Sequence, residues 1–161
     1  MLPILLYYRD RKQYRIIYFP DESKGKPMEP YIHTVQYYET DRMGITHHSN
    51  YIRWMEEARV DFLNKIGWGY EKLEAEGVFS PVTAIECKYR SSTTFADEVK
   101  IDVSVSDFKG VVLKFEYRMT KSDGQLVFEG HSEHCFLNGD GKVIRLRKEH
   151  PELHDLLVSL V

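Results

Sequence analysis

The sequence predicts an α+β fold in which a curved antiparallel β-sheet wraps around one long central α-helix. Three observations carry this. Tyr51, Trp54, Met55, Ala58, Phe62 and Ile66 recur at three- and four-residue spacing, the mark of one helical face. Four strand-like runs follow, separated by short turns. Strands joined that way pair antiparallel, and one face of their sheet must be buried; the long helix is the only element large enough to cover it.

The elements follow in order. Residues 31–39, YIHTVQYYE, are aromatic and β-branched and read as the first strand. The loop TDRMGITHHS comes next, with Gly44 as its flexible point. The helix then spans about 17 residues, or ~25 Å. Arg53, Glu56, Glu57, Arg59 and Asp61 fall mostly off its apolar stripe. Ser49 or Asn50 suits its N-cap, and Gly67 suits its end. A short polar helical stretch occupies residues 70–76. Strands are expected at 79–89, 98–107, 111–120 and 125–137. In the second of these, Val99, Ile101, Val103 and Val105 share a face. Ser122-Asp123-Gly124 is a hairpin signal, and Asn138-Gly139-Asp140-Gly141 ends the last strand. Residues 142–146 form a short extended piece, and 149–160 a closing helix with Pro151 in its first turn.

The chain divides into an N-terminal extension, residues 1–29, and one domain, residues 30–161. The opening MLPILLYYRDRKQYRIIYF has no basic region before its apolar stretch and no small-residue cleavage site after it, so it is a poor secretory signal. DESKGKPMEP then has linker chemistry. Residues 1–27 hold six Lys/Arg and three Asp/Glu, a net of +3; the whole chain is −3, which leaves −6 for the rest. Two readings stand for this segment. Either translation naturally starts at Met28 and residues 1–27 are not native, or they form a real extra strand or arm that packs on a partner subunit.

Composition excludes several functions. No apolar run approaches the ~20 residues of a membrane span. The net charge of −3 gives no broad attraction to nucleic acid. Cys87 and Cys135 are too few for a disulfide framework and read as two buried thiols of a cytoplasmic protein.

Reactive side chains are densest from Tyr37 to Tyr51, between the first strand and the long helix. The first N–H groups of a helix lack intrahelical partners, and the helix dipole is positive there. A carbonyl oxygen set against them is polarised, and the oxyanion of acyl transfer is stabilised. A nearby carboxylate can attack that carbonyl or deprotonate the water that does. Asp41, a flexible Gly44 and a helix beginning near His48 are therefore a workable hydrolytic set.

These residues also carry a resemblance. Asp41, Gly44-Ile45, His48, Asn50-Tyr51 and Trp54-Met55-Glu56-Glu57-Ala58-Arg59 resemble the signature of the 4-hydroxybenzoyl-CoA thioesterase family. Within it, the chain is similar to small bacterial acyl-CoA thioesterases, including those associated with the Tol–Pal system. The likeness runs from Tyr31 to about Leu146. It includes Phe79-Ser80-Pro81-Val82, Cys87-Lys88-Tyr89-Arg90 and Asp140-Gly141-Lys142.

The resemblance implies a hotdog fold and hydrolysis of an acyl-CoA thioester to free acid and coenzyme A. No metal or redox cofactor is implied, and coenzyme A enters as part of substrate and product. Asp41 matches the catalytic nucleophile or general base. The His48 backbone N–H matches the group that polarises the carbonyl. The His48 side chain and Tyr37 match assisting residues of some relatives, and Asn50 stands where a residue holds the loop or a water. Dimers, commonly paired into tetramers with active sites between subunits, are implied as well. The chain departs from the pattern at Arg42, at His47 and at Ser91-Ser92-Thr93-Thr94, which replaces a proline-containing stretch. These departures bear on acyl preference more than on the catalytic role.

Each assignment has a plainer reading beside it. Asp41 is also a common turn residue, and His48 a polar residue at a helix start. Asp41, His47 and His48 suggest a metal site only weakly, because adjacent histidines rarely point at one ion and no fourth ligand is evident. His131 and His134 fall on opposite faces of their strand. Tyr51 and Trp54 can line an acyl pocket or simply fill the core. Lys88, Arg90 and Lys109 suit coenzyme A phosphates or are solvated surface charges. The competing functions are an acyl-carrier-protein thioesterase and a non-catalytic acyl-CoA-binding protein of the same fold. A hydratase or dehydratase of this fold commonly uses a His with an acid from a different position in the helix, and the sequence shows no matching pair.

Overall fold

The computed structural model describes residues 28–161, together with the backbone of a hairpin, β1 (Tyr7–Asp10) and β2 (Gln13–Ile16), in which Tyr7 lies opposite Ile16. Otherwise residues 1–27, on which the two readings of the extension bear, lie outside the described residues. Five further strands form one antiparallel sheet. They are β3 (Tyr31–Thr34), β4 (Val82–Tyr89), β5 (Glu98–Phe108), β6 (Val112–Lys121) and β7 (Leu126–Cys135), in the order β3-β5-β6-β7-β4. The long helix α1 (Ser49–Lys65) lies across the inner face. Short helices α2 (Tyr70–Ala75), α3 (Leu146–Glu149) and α4 (Pro151–Ser159) follow in chain order.

The predicted stripe is the buried one: Tyr51, Trp54, Met55, Ala58 and Phe62 all face the sheet. Phe62 meets Phe115 edge-on, with ring centroids 5.5 Å apart, and Tyr51 stacks on Phe128 at 5.4 Å. From the sheet, Val99, Ile101, Val105, Leu113 and Met119 complete the core, and Leu153 and Leu157 of α4 close one end. Fully burying a side chain of this size contributes about 1.5–3 kcal/mol. The sheet wrapped on a helix is the arrangement of a hotdog fold.

Several elements differ from expectation, each for a physical reason. The first strand ends at Thr34, and Tyr37–Glu39 is a single 3-10 turn that sends Glu39 inward. Regular pairing of β4 begins after Pro81, which has no N–H to donate; Phe79 makes only a single bridge to Leu137. Residues 142–146 are not a strand: Val143 bridges Leu137 once, and Leu146 already opens α3. The closing helix breaks at His150, because the residue before a proline is pushed out of helical geometry. Neither Ser49 nor Asn50 caps α1 with its side chain, and the cap residue is His48. Arg59 is buried rather than solvated; its guanidinium donates to the Tyr70 hydroxyl. Cys87 and Cys135 are free and half-buried rather than buried.

Strand order positions the site. β4 precedes β5 in sequence, yet the two lie apart, with β6 and β7 between them. Residues 90–97 therefore cross the end of the sheet and pass under the loop that precedes α1.

Candidate active site

Glu39 anchors the loop before α1. Its carboxylate accepts from the Gln36 N–H at 2.7 Å, from Trp54 Nε1 at 2.7 Å, and meets His33 Nε2 at 2.9 Å. Its carbonyl accepts the His47 N–H and the Asn50 side-chain amide, both at 2.8 Å. Burial opposes the charge on Glu39. The hydrogen bonds from Gln36, His33 and Trp54 outweigh burial and hold its carboxyl below the ordinary value of 4.5. The other nitrogen of His33 faces Glu57 Oε2 at 3.1 Å, which also accepts the Tyr31 hydroxyl.

Two residues after Glu39 the chain makes a tight turn. The Asp41 N–H donates to the Ile45 carbonyl and the Gly44 N–H to the Asp41 carbonyl, each at 2.9 Å. Gly44 sits at φ +74°, a left-handed conformation that glycine adopts at little cost. Asp41 Oδ1 accepts the Met43 N–H at 2.8 Å, the Asx geometry typical of such turns. Asp41 is exposed, and among the described residues its Oδ2 has no partner. The turn role and an available carboxylate oxygen thus coexist in one side chain.

Helix α1 begins where this loop ends. His48 is the cap residue, with φ −53° and ψ −30°, and its side chain caps nothing. The Asn50 N–H goes to the His47 carbonyl and the Ser49 N–H faces His47 Nδ1. The His48 N–H donates to no acceptor among the described residues. His48 is exposed and stands at the positive end of a 17-residue helix. Its imidazole packs tilted on His47, centroids 4.2 Å apart, and edge-on to Tyr89 at 6.3 Å. The Tyr89 hydroxyl donates to the His48 carbonyl at 3.2 Å. Burial first, then the neighbouring Cys87, raises the Tyr89 phenol above its ordinary value, so that hydroxyl keeps its proton.

The structure gathers the expected site residues unevenly. Asp41, His48, Asn50 and Tyr51 converge on the junction of loop and helix. Asn50 is buried and holds the loop through the Glu39 carbonyl. Tyr51 is buried, with its hydroxyl 3.0 Å from Thr93 Oγ1. Trp54 is wholly enclosed, so it backs the site and shows no surface to a ligand in this subunit. Tyr37 is exposed on the 3-10 turn, its ring edge-on to Phe95.

Lys88 and Arg90 stand on the outer face of the sheet, beside a cavity of about 510 Å³ that Arg118 and Glu129 also line. Lys88 pairs with Glu86 at 3.1 Å and Arg90 with Glu129 at 2.7 Å. Lys109, at the tip of the β5–β6 hairpin, pairs with Asp107 at 3.4 Å. It lies seven residues along β5 from Asp102, the position level with Lys88 across the sheet, or roughly 20 Å away. The three cations therefore do not form one cluster. Among the described residues, no group of three or more His, Cys, Asp or Glu side chains is arranged to hold a metal ion.

Sequence reasoning missed Glu39, His33 and Thr93. Glu39 reads as the end of a strand, and only its break with the β alternation signals a turn inward. His33 reads as one residue of that strand. Thr93 lies in the serine and threonine stretch that departs from the resemblance, and nothing local marks it as buried.

Comparison with known proteins gives the family. The family model described as "Thioesterase-like superfamily" matches residues 35–154. YneP of Bacillus subtilis (strain 168), which carries the name of a candidate acyl-CoA thioesterase, is 31% identical over 121 residues, 74% of this chain and 88% of that protein. The acyl-CoA thioester hydrolase YbgC of Escherichia coli O157:H7 is 26% identical over 95 residues, 59% of this chain and 71% of its own length. Among solved structures, the DHNA-CoA thioesterase from Staphylococcus aureus superposes with a TM-score of 0.77 at 30% identity, covering 81% of this chain and 88% of that one.

Proposed function

Because the chain belongs to the thioesterase-like superfamily, we propose that it is an acyl-CoA thioesterase, and that Asp41 and the His48 amide form its reactive pair. The observation that carries this is the junction of loop and helix: among the described residues, an exposed carboxylate with one oxygen unpartnered, and an unpaired N–H at the helix start. The thioester carbonyl oxygen accepts the His48 N–H, which stabilises the oxyanion as it forms. Asp41 either attacks the carbonyl carbon itself or takes the proton of an attacking water. The C–S bond breaks, coenzyme A leaves as the thiol, and water supplies the second oxygen of the free acid. In this reading no metal or redox cofactor takes part. Tyr37 assists from the 3-10 turn.

The working unit in this proposal is a homo-oligomer, a dimer or a pair of dimers, with its sites between subunits. Strand β4 supports it. It is an eight-residue sheet edge with no partner on its outer side among the described residues, and Val82, Ile85 and Tyr89 are all more than 40% exposed. Native proteins protect such edges, and a second copy of β4 does so by pairing antiparallel. Ile85, Cys87 and Tyr89 share the inner face with buried Ser132, Gly130 and Phe128 across the ladder, beyond the cover of α1. A partner laid there also walls the Asp41 site. The phosphates of coenzyme A meet Lys88 and Arg90 by displacing Glu86 and Glu129. The groove along the outer face of α1, about 460 Å³ and lined by Glu56, Glu57 and Asp61, has the wrong charge for them.

The test is thiol release from a panel of aromatic, short-chain and long-chain acyl-CoAs, with Asp41→Asn as control. Turnover by the wild type and its loss in the variant are expected. Full activity in Asp41→Asn removes Asp41 from the chemistry. Binding without turnover indicates a non-catalytic acyl-CoA-binding protein, and turnover only of carrier-bound acyl groups moves the substrate to acyl carrier protein. Single-turnover hydrolysis in ¹⁸O water separates direct attack, which places label in Asp41, from attack through water.

A further inference from the structure

The reactive pair sits on two pieces of chain, Asp41 in a turn and His48 at the start of a helix, and chemistry requires a constant spacing between them. One side chain that joins those pieces is Thr93. It comes from neither: it lies in the crossing segment between β4 and β5, is 1% exposed, and is 42 residues from the helix residue it holds.

Its contacts run both ways. The Thr93 hydroxyl is 2.7 Å from the Thr46 hydroxyl and 3.0 Å from the Tyr51 hydroxyl. Its N–H donates to Tyr51 Oη at 3.2 Å, and its carbonyl accepts the Thr46 N–H at 2.8 Å. The adjacent Thr94 hydroxyl donates to the Gly44 carbonyl at 2.8 Å. Residues 44 and 46 are the return limb of the Asp41 turn, and Tyr51 is in the first turn of α1. Tyr51 is itself immobilised, stacked on Phe128, whose ring lies over Gly130; a Cβ there would stand 2.6 Å from the ring.

We propose that Thr93 is a positioning residue of this site: its hydroxyl and backbone lock the Asp41 turn to the first turn of α1 and so set Asp41 against the His48 amide. The role in catalysis rests on the thioesterase reading above; the lock itself does not. Buried hydroxyls that bond one another hold their partners because each would otherwise lose a hydrogen bond that water cannot replace. A reacting group displaced by about 1 Å can lose on the order of 100-fold in rate.

The experiment compares wild type, Thr93→Val and Thr93→Ser in two measurements. Valine keeps the shape and removes the hydroxyl; serine keeps the hydroxyl. With the acyl-CoA that wild type hydrolyses fastest, Thr93→Val is expected to lower kcat by about 10- to 100-fold with KM nearly unchanged, while Thr93→Ser stays close to wild type. By amide hydrogen exchange, Thr93→Val is expected to speed exchange at Asp41, Thr46 and His47 and to leave Phe115 and Tyr117 of β6 as they were. The proposal is overturned by a wild-type kcat in Thr93→Val, by equal impairment of the serine variant, or by exchange that is unchanged in the loop or rises equally in β6. If the wild type hydrolyses no thioester, the functional reading fails, and the exchange contrast still decides whether Thr93 locks the loop.

Discussion

The indole N–H of Trp54 donates over 2.7 Å to the buried carboxylate of Glu39, tying the middle of the first helix to the turn that leads into Asp41. Burial alone would push the Glu39 carboxyl up. The donors around it reverse this and leave it below its ordinary value of 4.5. A carboxyl depressed in the folded state adds stability above its unfolded value and loses it as the pH falls through the folded one. Glu39→Gln is therefore expected to be destabilised by about 1–3 kcal/mol at pH 7. That gap should shrink once the pH drops below 4.5. Urea unfolding at several pH values checks this; a gap of constant size would mean that the charge contributes nothing.

His48 offers a way to separate backbone from side chain. Its imidazole makes no hydrogen bond among the described residues, and its N–H is unpaired at φ −53°, an angle that suits proline. His48→Ala is expected to retain activity within about tenfold of wild type. His48→Pro removes the N–H as well as the ring, so its difference from His48→Ala reports the N–H, and it is expected to lower kcat by roughly 100- to 1,000-fold, the usual effect of losing one oxyanion donor. Circular dichroism should show both variants folded. Equal losses in the two variants would transfer the role to the ring.

His134 gives a second pH window. It is fully enclosed, its Nε2 is 2.8 Å from the Ser132 hydroxyl, and its Nδ1 has no hydrogen-bond partner among the described residues. Burial, reinforced by the charge of Arg59, pushes it from 6.5 down to about 4. The unfolded chain takes up the proton first, so stability is complete above 6.5 and declines as the pH falls toward 4, by roughly 3 kcal/mol in all. His134→Gln should flatten the decline between 6.5 and 4.5, measured as urea midpoints. A wild-type curve already flat across that range would sink the prediction.

Ile85 probes the sheet edge. It is 42% exposed on the inner face of β4. Ile85→Lys places a charge where a second copy would pack, a device that blocks edge pairing. Light scattering is expected to show a smaller particle than wild type, with thioesterase activity falling in parallel. An unchanged mass would show that β4 is not the contact between copies.

Local pattern carried the helix and the hairpins. A stripe such as Tyr51, Trp54, Met55, Ala58 and Phe62 must face one apolar surface whatever that surface is, and Ser122-Asp123-Gly124 turns the chain through contacts within a few residues. The same locality made Asp41, beside a helix start, readable as a candidate. Other features arise only where distant segments meet. Alternation cannot place β4 beside β7 rather than β5, because both edges offer the same ladder of donors and acceptors. Nor can it tell that Glu39 turns inward to His33 and Trp54, that Arg59 is enclosed with Tyr70, or that Thr93 reaches Tyr51 from 42 residues away. Each of these polar groups is buried because a partner waits for it in the folded chain, and without that partner its composition would put it in water. Asp41 was visible in the sequence; the bonds that tie its turn to the first turn of α1 became visible only once the chain was folded.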